Sequence, residues 1–250
     1  MKQRRAMARR TLLAAIALLA LPFALPDSAI SQTAPQVRNA PDFADIIGAY
    51  RAQRTTDPES CCTYSASVFG REVQFHVFDT FEPAYEAKND RQMIVEFVPK
   101  GETVETWTRM ITFSAFKGPG SAPVSTAEMQ QRFFNTGRGC EVANFSRVIA
   151  SGRLANGAEY NLSSNGCGST AAGGYPGAVS GRGEQFIALL LRDDQNVAVL
   201  QYAERGAGFD ADKPPIGDAA VEALMSRFRS IAFCRSKAVS GDCSIAFSAR

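Results

Sequence analysis

Alternating hydrophobic and polar residues predict that β-strands dominate the middle of the chain. The segment 71–79 alternates cleanly and puts Val73, Phe75 and Val77 on one face, as a half-buried strand requires. Asn156-Gly157 is a strong hairpin dipeptide between two such runs. Further strands are predicted at 91–98, 110–116, 142–150, 158–163, 185–192 and 196–204.

A helical spacing of apolar residues predicts two helices among these strands. Ser125-Thr-Ala-Glu128 has the spacing of a capping box and indicates a helix that runs to about Thr136 and stops at Gly137. A second helix is predicted over 218–230, where four apolar residues share one face: Val221, Leu224, Met225 and Phe228.

Antiparallel strands with helices between and after them predict an α+β fold. We expect one antiparallel sheet with helices packed on one face, stapled by disulfides. The domain is expected over 59–233, after an N-terminal tether at 32–58 that contains one short helical candidate, 43–51. A cysteine-bounded tail follows at 234–250.

The first 31 residues have the pattern of a cleavable bacterial signal peptide. Five basic residues precede an apolar run that ends at Leu25, and the small residues Ala29 and Ser31 predict cleavage before Gln32. A retained anchor needs about 20 apolar residues, so we expect no stable membrane span after cleavage. Arg9-Arg10 leaves two routes open, Sec and twin-arginine export. The expected location is the periplasm, with secretion as the alternative.

Removal of this leader changes the charge balance. The full chain has 27 basic and 25 acidic residues, and loss of the leader's five basic residues and Asp27 leaves 22 and 24. Nucleic-acid binding needs clustered Lys and Arg. The mature chain offers no such excess, so we expect no nucleic-acid partner.

Six cysteines in an exported chain favour disulfide bonds, because such bonds persist in oxidising compartments. A metal site is disfavoured by the single histidine and the lack of a C-x-x-C pair, and we expect no metal and no cofactor. Sequence does not settle the connectivity. The spacing suggests two pairs, Cys140 with Cys167 and Cys234 with Cys243. It leaves Cys61 and Cys62 unassigned.

The residues that could support catalysis form no convincing motif. Cys167 and His76 could act as a thiol nucleophile and its base, but a bond from Cys167 to Cys140 would block that role. Gly-x-Ser-x-Gly is absent. Four acids could supply an acid/base pair, although first-turn acids beside Trp107 more often serve helix structure: Glu102, Glu105, Asp193 and Asp194. We assign no catalytic residue.

Two features could instead bind a ligand. The glycine-rich segment 166–183 could hold an anion on its backbone amides with help from Arg182, but it lacks the Gly-Lys-[Ser/Thr] ending and more often such a segment is a surface insertion. Aromatic residues with polar tips are suited to recognition. The residues proposed for a binding groove are Trp107, Tyr160, Tyr175, Arg182 and Tyr202.

The segment 93–112 carries a resemblance to known proteins. It has the pattern Pro-x-Gly-Glu-[Ser/Thr]-Val-Glu-x-Trp-Thr between two strands, and a later strand and helix fit the same order. The stretch 70–233 resembles poorly characterised exported bacterial proteins and, more loosely, the PsbP/Mog1-like group, including DcrB-type periplasmic proteins. The resemblance implies an α+β sandwich and an accessory or binding role. The glycine-rich insertion and the tail after Phe233 depart from that group.

The sequence therefore favours a soluble periplasmic protein with a non-catalytic binding or accessory role in the cell envelope. Its partner is expected to be an envelope protein or a small-molecule ligand. Two alternatives stay open: an envelope hydrolase with a non-standard active site, and a secreted extracellular factor.

Overall fold

A computed structural model describes residues 51–52, 62–118, 124–134, 139–154, 156–173, 178–217, 219–221, 223–224 and 232–235. The described chain is mostly antiparallel β-structure. Its strands are β1 (Arg51–Ala52), β2 (Cys62–Val68), β3 (Arg71–Val77), β4 (Phe81–Lys88), β5 (Gln92–Pro99), β6 (Arg109–Lys117), β7 (Cys140–Val142), β8 (Phe145–Arg153), β9 (Glu159–Cys167), β10 (Ser169–Thr170), β11 (Arg182–Arg192), β12 (Asn196–Ala207) and β13 (Ala232–Arg235). The helix α1 spans Thr126–Phe133, and residues 219–221 and 223–224 are also helical.

The strands form two main sheets. The large sheet has seven strands in the order β4-β5-β6-β12-β11-β9-β8, and the small sheet has four in the order β1-β2-β3-β13. The short strands β7 and β10 pair with each other beside the end of β9. All pairings described in both sheets are antiparallel.

The main core lies between the two sheets. Tyr64 and Phe75 of the small sheet meet Phe97 and Phe113 of the large sheet, with ring centroids 5.5 Å apart for Tyr64–Phe97 and 5.4 Å apart for Phe75–Phe113. All four side chains are fully buried. This packing of one sheet on another makes the domain a β-sandwich.

The second face of the large sheet, called the outer face below, is also covered in part. Met129 of α1 packs on Leu190, Val197 and Val199. The loop 100–108 covers a neighbouring area with Trp107. Strand β11 therefore buries side chains on both faces, which explains its nearly continuous apolar run.

The predicted α+β class is wrong, because the layer that packs on the large sheet is a second sheet rather than helices. The prediction missed β2 and β4. The sequence of β4 contains Pro83, two glutamates and a lysine, and β2 has few large apolar residues. Neither strand alternates strongly between apolar and polar residues. Without these strands, the sequence predicts that helices cover the apolar faces of the other strands.

Several local predictions are confirmed. Strands β3, β5 and β6 lie within a residue or two of their predicted ends, and the predicted hairpins are β8–β9 and β11–β12. Ser125 and Glu128 form the predicted capping box at the start of α1.

Other predictions fall wholly or partly outside the described residues. Of the predicted helix 218–230, residues 219–221 and 223–224 are described and helical. The signal peptide 1–31 lies outside the described residues. So does most of the tether 32–58, of which Arg51–Ala52 form β1.

The two edges of the large sheet differ. Strand β4 carries Pro83, which has no N–H to offer, and its register shifts between Pro83 and Tyr85. Strand β8 at the other edge is mostly exposed and includes Val148, which is 53% exposed. The register of β8 also shifts, between Val148 and Ala150. Proline and bulges hinder further pairing at an edge, and only β4 carries a proline, so β4 is the better protected of the two.

Candidate functional site

The aromatic residues predicted to line a groove lie on different faces of the large sheet. Trp107 covers the outer face, whereas Tyr160 and Tyr202 belong to the core between the sheets. Arg182 is exposed at the start of β11. Tyr175 lies outside the described residues. The structure therefore does not bring Trp107 and Tyr202 together.

Tyr202 and Tyr160 have structural contacts. The Tyr202 hydroxyl donates a hydrogen bond to Glu204 Oε1 at 2.8 Å, and burial, with the nearby Glu204 charge, raises the pKa of Tyr202 above its usual range. Tyr160 packs across Gly152, where an added Cβ would lie 2.9 Å from the ring. Both tyrosines fill space in the sandwich.

Trp107 fixes the loop 100–108 to the sheet. The Arg205 guanidinium lies 3.9 Å from the indole centroid, within the range of a cation–π interaction. Arg205 Nε donates to Glu184 Oε1 at 2.6 Å, and Nη1 donates to the Glu105 carbonyl at 3.4 Å. Glu102 accepts hydrogen bonds from the backbone N–H and the hydroxyl of Thr108. The Glu102 carboxylate therefore helps to hold the loop in place.

The two acidic pairs lie near opposite ends of β6. Glu102 and Glu105 precede the start of this strand, while its last residue, Lys117, pairs with Asn196 just after the turn that holds Asp193 and Asp194. A nine-residue strand is about 27 Å long. The four carboxylates therefore do not converge in one cleft.

The predicted bond between Cys140 and Cys167 is confirmed, with the two Cα atoms 5.5 Å apart. A thiol in a disulfide is not a nucleophile. His76 also faces away from the core on the small sheet, so both sheets separate it from Cys167. The side chains of Cys61, Cys62, Cys234 and Cys243 lie outside the described residues.

A cleft opens between the start of α1 and the ends of three neighbouring strands. Its volume is about 550 Å³. We call it the helix cleft. It is lined by Val124, Ser125 and Thr126 beside α1, Ser151, Gly152 and Arg153 of β8, Glu159 of β9, and Arg192 of β11.

The charges in the helix cleft form a row across three strands. Arg153 pairs in register with Glu159, which pairs with Arg192. Arg153 Nη2 lies 2.6 Å from Glu159 Oε1, and Arg192 donates to the Val124 carbonyl. One carboxylate between two guanidinium groups leaves the row with one positive charge. The Glu128 carboxylate lies nearby at the start of α1, where hydrogen bonds from Ser125 lower its pKa.

Glu96 is a titratable residue that sequence reasoning missed. It lies in the middle of β5 on the outer face, and burial raises its pKa to about 7, while a hydrogen bond with Thr112 acts in the opposite direction. An acid inside the apolar run Met93–Val98 was a visible signal, because polar residues in such a run need a partner or a function.

Comparisons with known proteins add one partial match. A protein-family model matches residues 72–147, from β3 into β8, which is less than a third of the chain. No curated protein matches the chain. The matched residues include β4–β6, α1 and the Val124–Thr126 side of the helix cleft.

The described residues show neither a cluster of metal-binding side chains nor a membrane-spanning helix. Within these residues, no group of three or more His, Cys, Asp or Glu side chains is placed to hold a metal ion. In the same part of the chain, no helix has the length and apolar character needed to span a membrane.

Proposed function

We propose that the chain is an exported protein of the cell envelope that binds a small polar ligand in the helix cleft and has no catalytic role. The observation that carries this proposal is the cleft itself. Its volume of about 550 Å³ falls in the range of small-molecule sites, which is about 300–1,000 Å³.

The lining of the helix cleft supports a polar ligand. Hydroxyl groups of Ser125, Thr126 and Ser151 offer hydrogen bonds, and Arg153 and Arg192 add guanidinium groups. A few well-placed polar groups fix the orientation of a ligand in such a site. The cleft is open, so a ligand could enter without a rearrangement of the sheet.

The contacts of the reactive side chains support a non-catalytic role. Cys167 is bonded to Cys140, Glu102 accepts from Thr108, and Asp193 pairs with Arg71. Each group already serves the fold. A general base needs free access to a substrate proton, and none of these three has it.

The Cys140–Cys167 bond supports export. Disulfides form and persist in the periplasm and outside the cell, whereas cytosolic thiols are kept reduced. The bond therefore agrees with the signal peptide predicted over residues 1–31, and periplasmic location is part of the proposal.

Native mass spectrometry tests the helix cleft. We expect protein purified without denaturation to carry a bound small molecule. Ser151→Trp should fill the cleft and weaken binding about tenfold, a loss of about 1.4 kcal/mol in binding free energy that lowers the occupancy. Val148→Trp, on the same strand but outside the cleft lining, is the matched control and should keep the ligand. Equal occupancy in both variants would contradict the proposal, as would a ligand-free wild type.

Cell fractionation with intact-mass measurement tests export. We expect the protein in the osmotic-shock fraction with a mass that begins at Gln32. Protein in the culture supernatant would favour the secreted alternative instead. An uncleaved chain in the cytosol or the membrane would refute export of a mature domain.

A further inference from the structure

Four polar side chains lie in register across the outer face of four neighbouring strands. Tyr85 of β4 pairs with Glu96 of β5, Glu96 pairs with Thr112 of β6, and Thr112 pairs with Gln201 of β12. We call these four residues the outer row. Each of them is half-buried, so each keeps some access to solvent.

Mostly apolar residues flank the outer row on both sides. Val98, Met110 and Ala203 form the next row toward Trp107, and all three are buried. Ile94 and Val199 lie on the opposite side, together with Ser114. The outer row is therefore a polar strip on a largely apolar surface, and its charged member, Glu96, lies where water is partly excluded.

The charge around the outer row is negative. The outer-face positions of the described strands β4, β5 and β6 include Glu82 and Glu96 and carry no Lys or Arg. The basic residue of β12 on this face is Arg205, which lies two rows from Gln201 and is paired with Glu184. An electrostatically complementary ligand for this surface is a cation.

We propose that the outer row is a binding site for a ligand that carries a primary ammonium group. Neighbouring strands lie about 4.8 Å apart, so the side chains of Glu96, Thr112 and Gln201 can reach one small group. Their carboxylate, hydroxyl and amide oxygens supply three acceptors, which match the three N–H donors of an ammonium ion. The ring of Tyr85 adds a face for a cation.

The binding energy of this site comes mainly from Glu96. A carboxylate held among apolar neighbours has lost part of its hydration, so it gains more from an approaching cation than an exposed carboxylate does. Thr112 hydrogen-bonds with Glu96 and holds the carboxylate in place. This site is separate from the helix cleft, because the cleft lining contains none of the four residues.

Titration of n-butylammonium, followed by NMR of the Glu96 side-chain carboxyl, tests the proposal. We expect saturable binding, with a dissociation constant of about 1–10 mM, and a decrease of about one unit in the pKa of Glu96 at saturation. n-Butanol, which has the same chain without the charge, should not produce the shift.

Matched variants locate the site. Glu96→Gln should weaken binding of n-butylammonium about tenfold, and Gln201→Leu should weaken it several-fold. Glu82→Gln, an exposed acid on the same face, should change the affinity less than about twofold. Binding to Ser151→Trp should be unchanged, so this proposal and the one for the helix cleft can fail separately.

Three results would overturn the proposal. They are absence of binding at about 50 mM n-butylammonium, equal binding of n-butanol, or unchanged affinity in a folded Glu96→Gln variant. Emission from Trp107, the single tryptophan, reports whether each variant has kept its outer face.

Discussion

Arg71 and Asp193 form an ion pair that joins the small sheet to the large sheet. Arg71 begins β3, and Asp193 lies in the turn between β11 and β12. Only 8% of the Arg71 side chain and 11% of the Asp193 side chain are exposed. Close by, Asn196 Nδ2 donates to the Phe69 carbonyl at 3.3 Å. These contacts fix one end of the sandwich.

Asp193→Asn should destabilise the protein by about 3 kcal/mol, because it leaves the buried Arg71 guanidinium without its main counter-charge. The variant keeps the oxygen that accepts from the backbone N–H groups of Gln195 and Asn196. Urea unfolding measures the change. Asp194→Asn is the control: this side chain is 62% exposed and lies 3.6 Å from Arg71, so the expected loss is below about 1 kcal/mol. Equal losses in the two variants would contradict the assignment.

Replacement of both Cys140 and Cys167 by alanine should lower the free energy of unfolding by about 3 kcal/mol. The bond closes a loop between residues separated by 27 positions. Its loss raises the conformational entropy of the unfolded chain and so favours unfolding. Denaturant unfolding of the oxidised wild type and the double variant measures the difference. Non-reducing peptide mapping verifies the bond. A double variant as stable as the wild type would show that the bond adds nothing to stability.

Glu96 should make stability depend on pH in a defined window. Its pKa is about 7 in the folded protein and about 4.3 in an unfolded chain, so the folded state binds more protons between these values. The free energy of unfolding of the wild type should therefore decrease as pH rises from about 4.5 to 8, most steeply between about 5 and 7, and change no further above that range on account of this group.

The Glu96→Gln variant isolates this effect. The free energy of unfolding of this variant should not show the decrease with pH. At pH 8 it should exceed the free energy of unfolding of the wild type by up to about 3 kcal/mol. The difference between variant and wild type, measured by urea unfolding at several pH values, removes the contribution of other acids. Glu82→Gln serves as the control and should follow the wild type. A constant difference across the window would be inconsistent with the raised pKa.

Arg205→Leu should shift the emission of Trp107 and destabilise the protein by about 3 kcal/mol. The change removes the cation over the indole and leaves the Glu184 carboxylate, 12% exposed, without its arginine partner. Fluorescence and chemical unfolding measure the two effects. Arg182→Leu, an exposed arginine on β11, should alter neither. An unchanged emission spectrum in Arg205→Leu would indicate that the loop 100–108 is held by other contacts.

The sequence predicts the strongly patterned elements and misses the weakly patterned ones. Val73, Phe75 and Val77 alternate with polar residues because only one face of β3 is buried, so the sequence predicts this strand correctly. Strand β4 lies at an edge, where Pro83 and charged residues protect it, so its composition resembles a loop. The error in fold class follows from such strands, since the second layer was not recognised as a sheet.

The site residues were harder to predict for a related reason. Trp107 and Tyr202 are both aromatic residues with a polar tip, so the sequence alone does not distinguish them. In the paired strands, Trp107 packs on the outer face of the large sheet, whereas Tyr202 points into the core between the sheets. The helix cleft depends on the register that places Arg153, Glu159 and Arg192 side by side. Register between distant strands is a tertiary property. Only the Cys140–Cys167 pair could be inferred from spacing and compartment.

The unequal edges of the large sheet set a limit on self-association. If two copies joined through β8, their sheets would merge across a two-fold axis, and both outer ends of the merged sheet would then be β4 strands. Pro83, which β8 lacks, opposes addition of a third copy there. Such contact therefore favours a closed pair of molecules over a growing fibril.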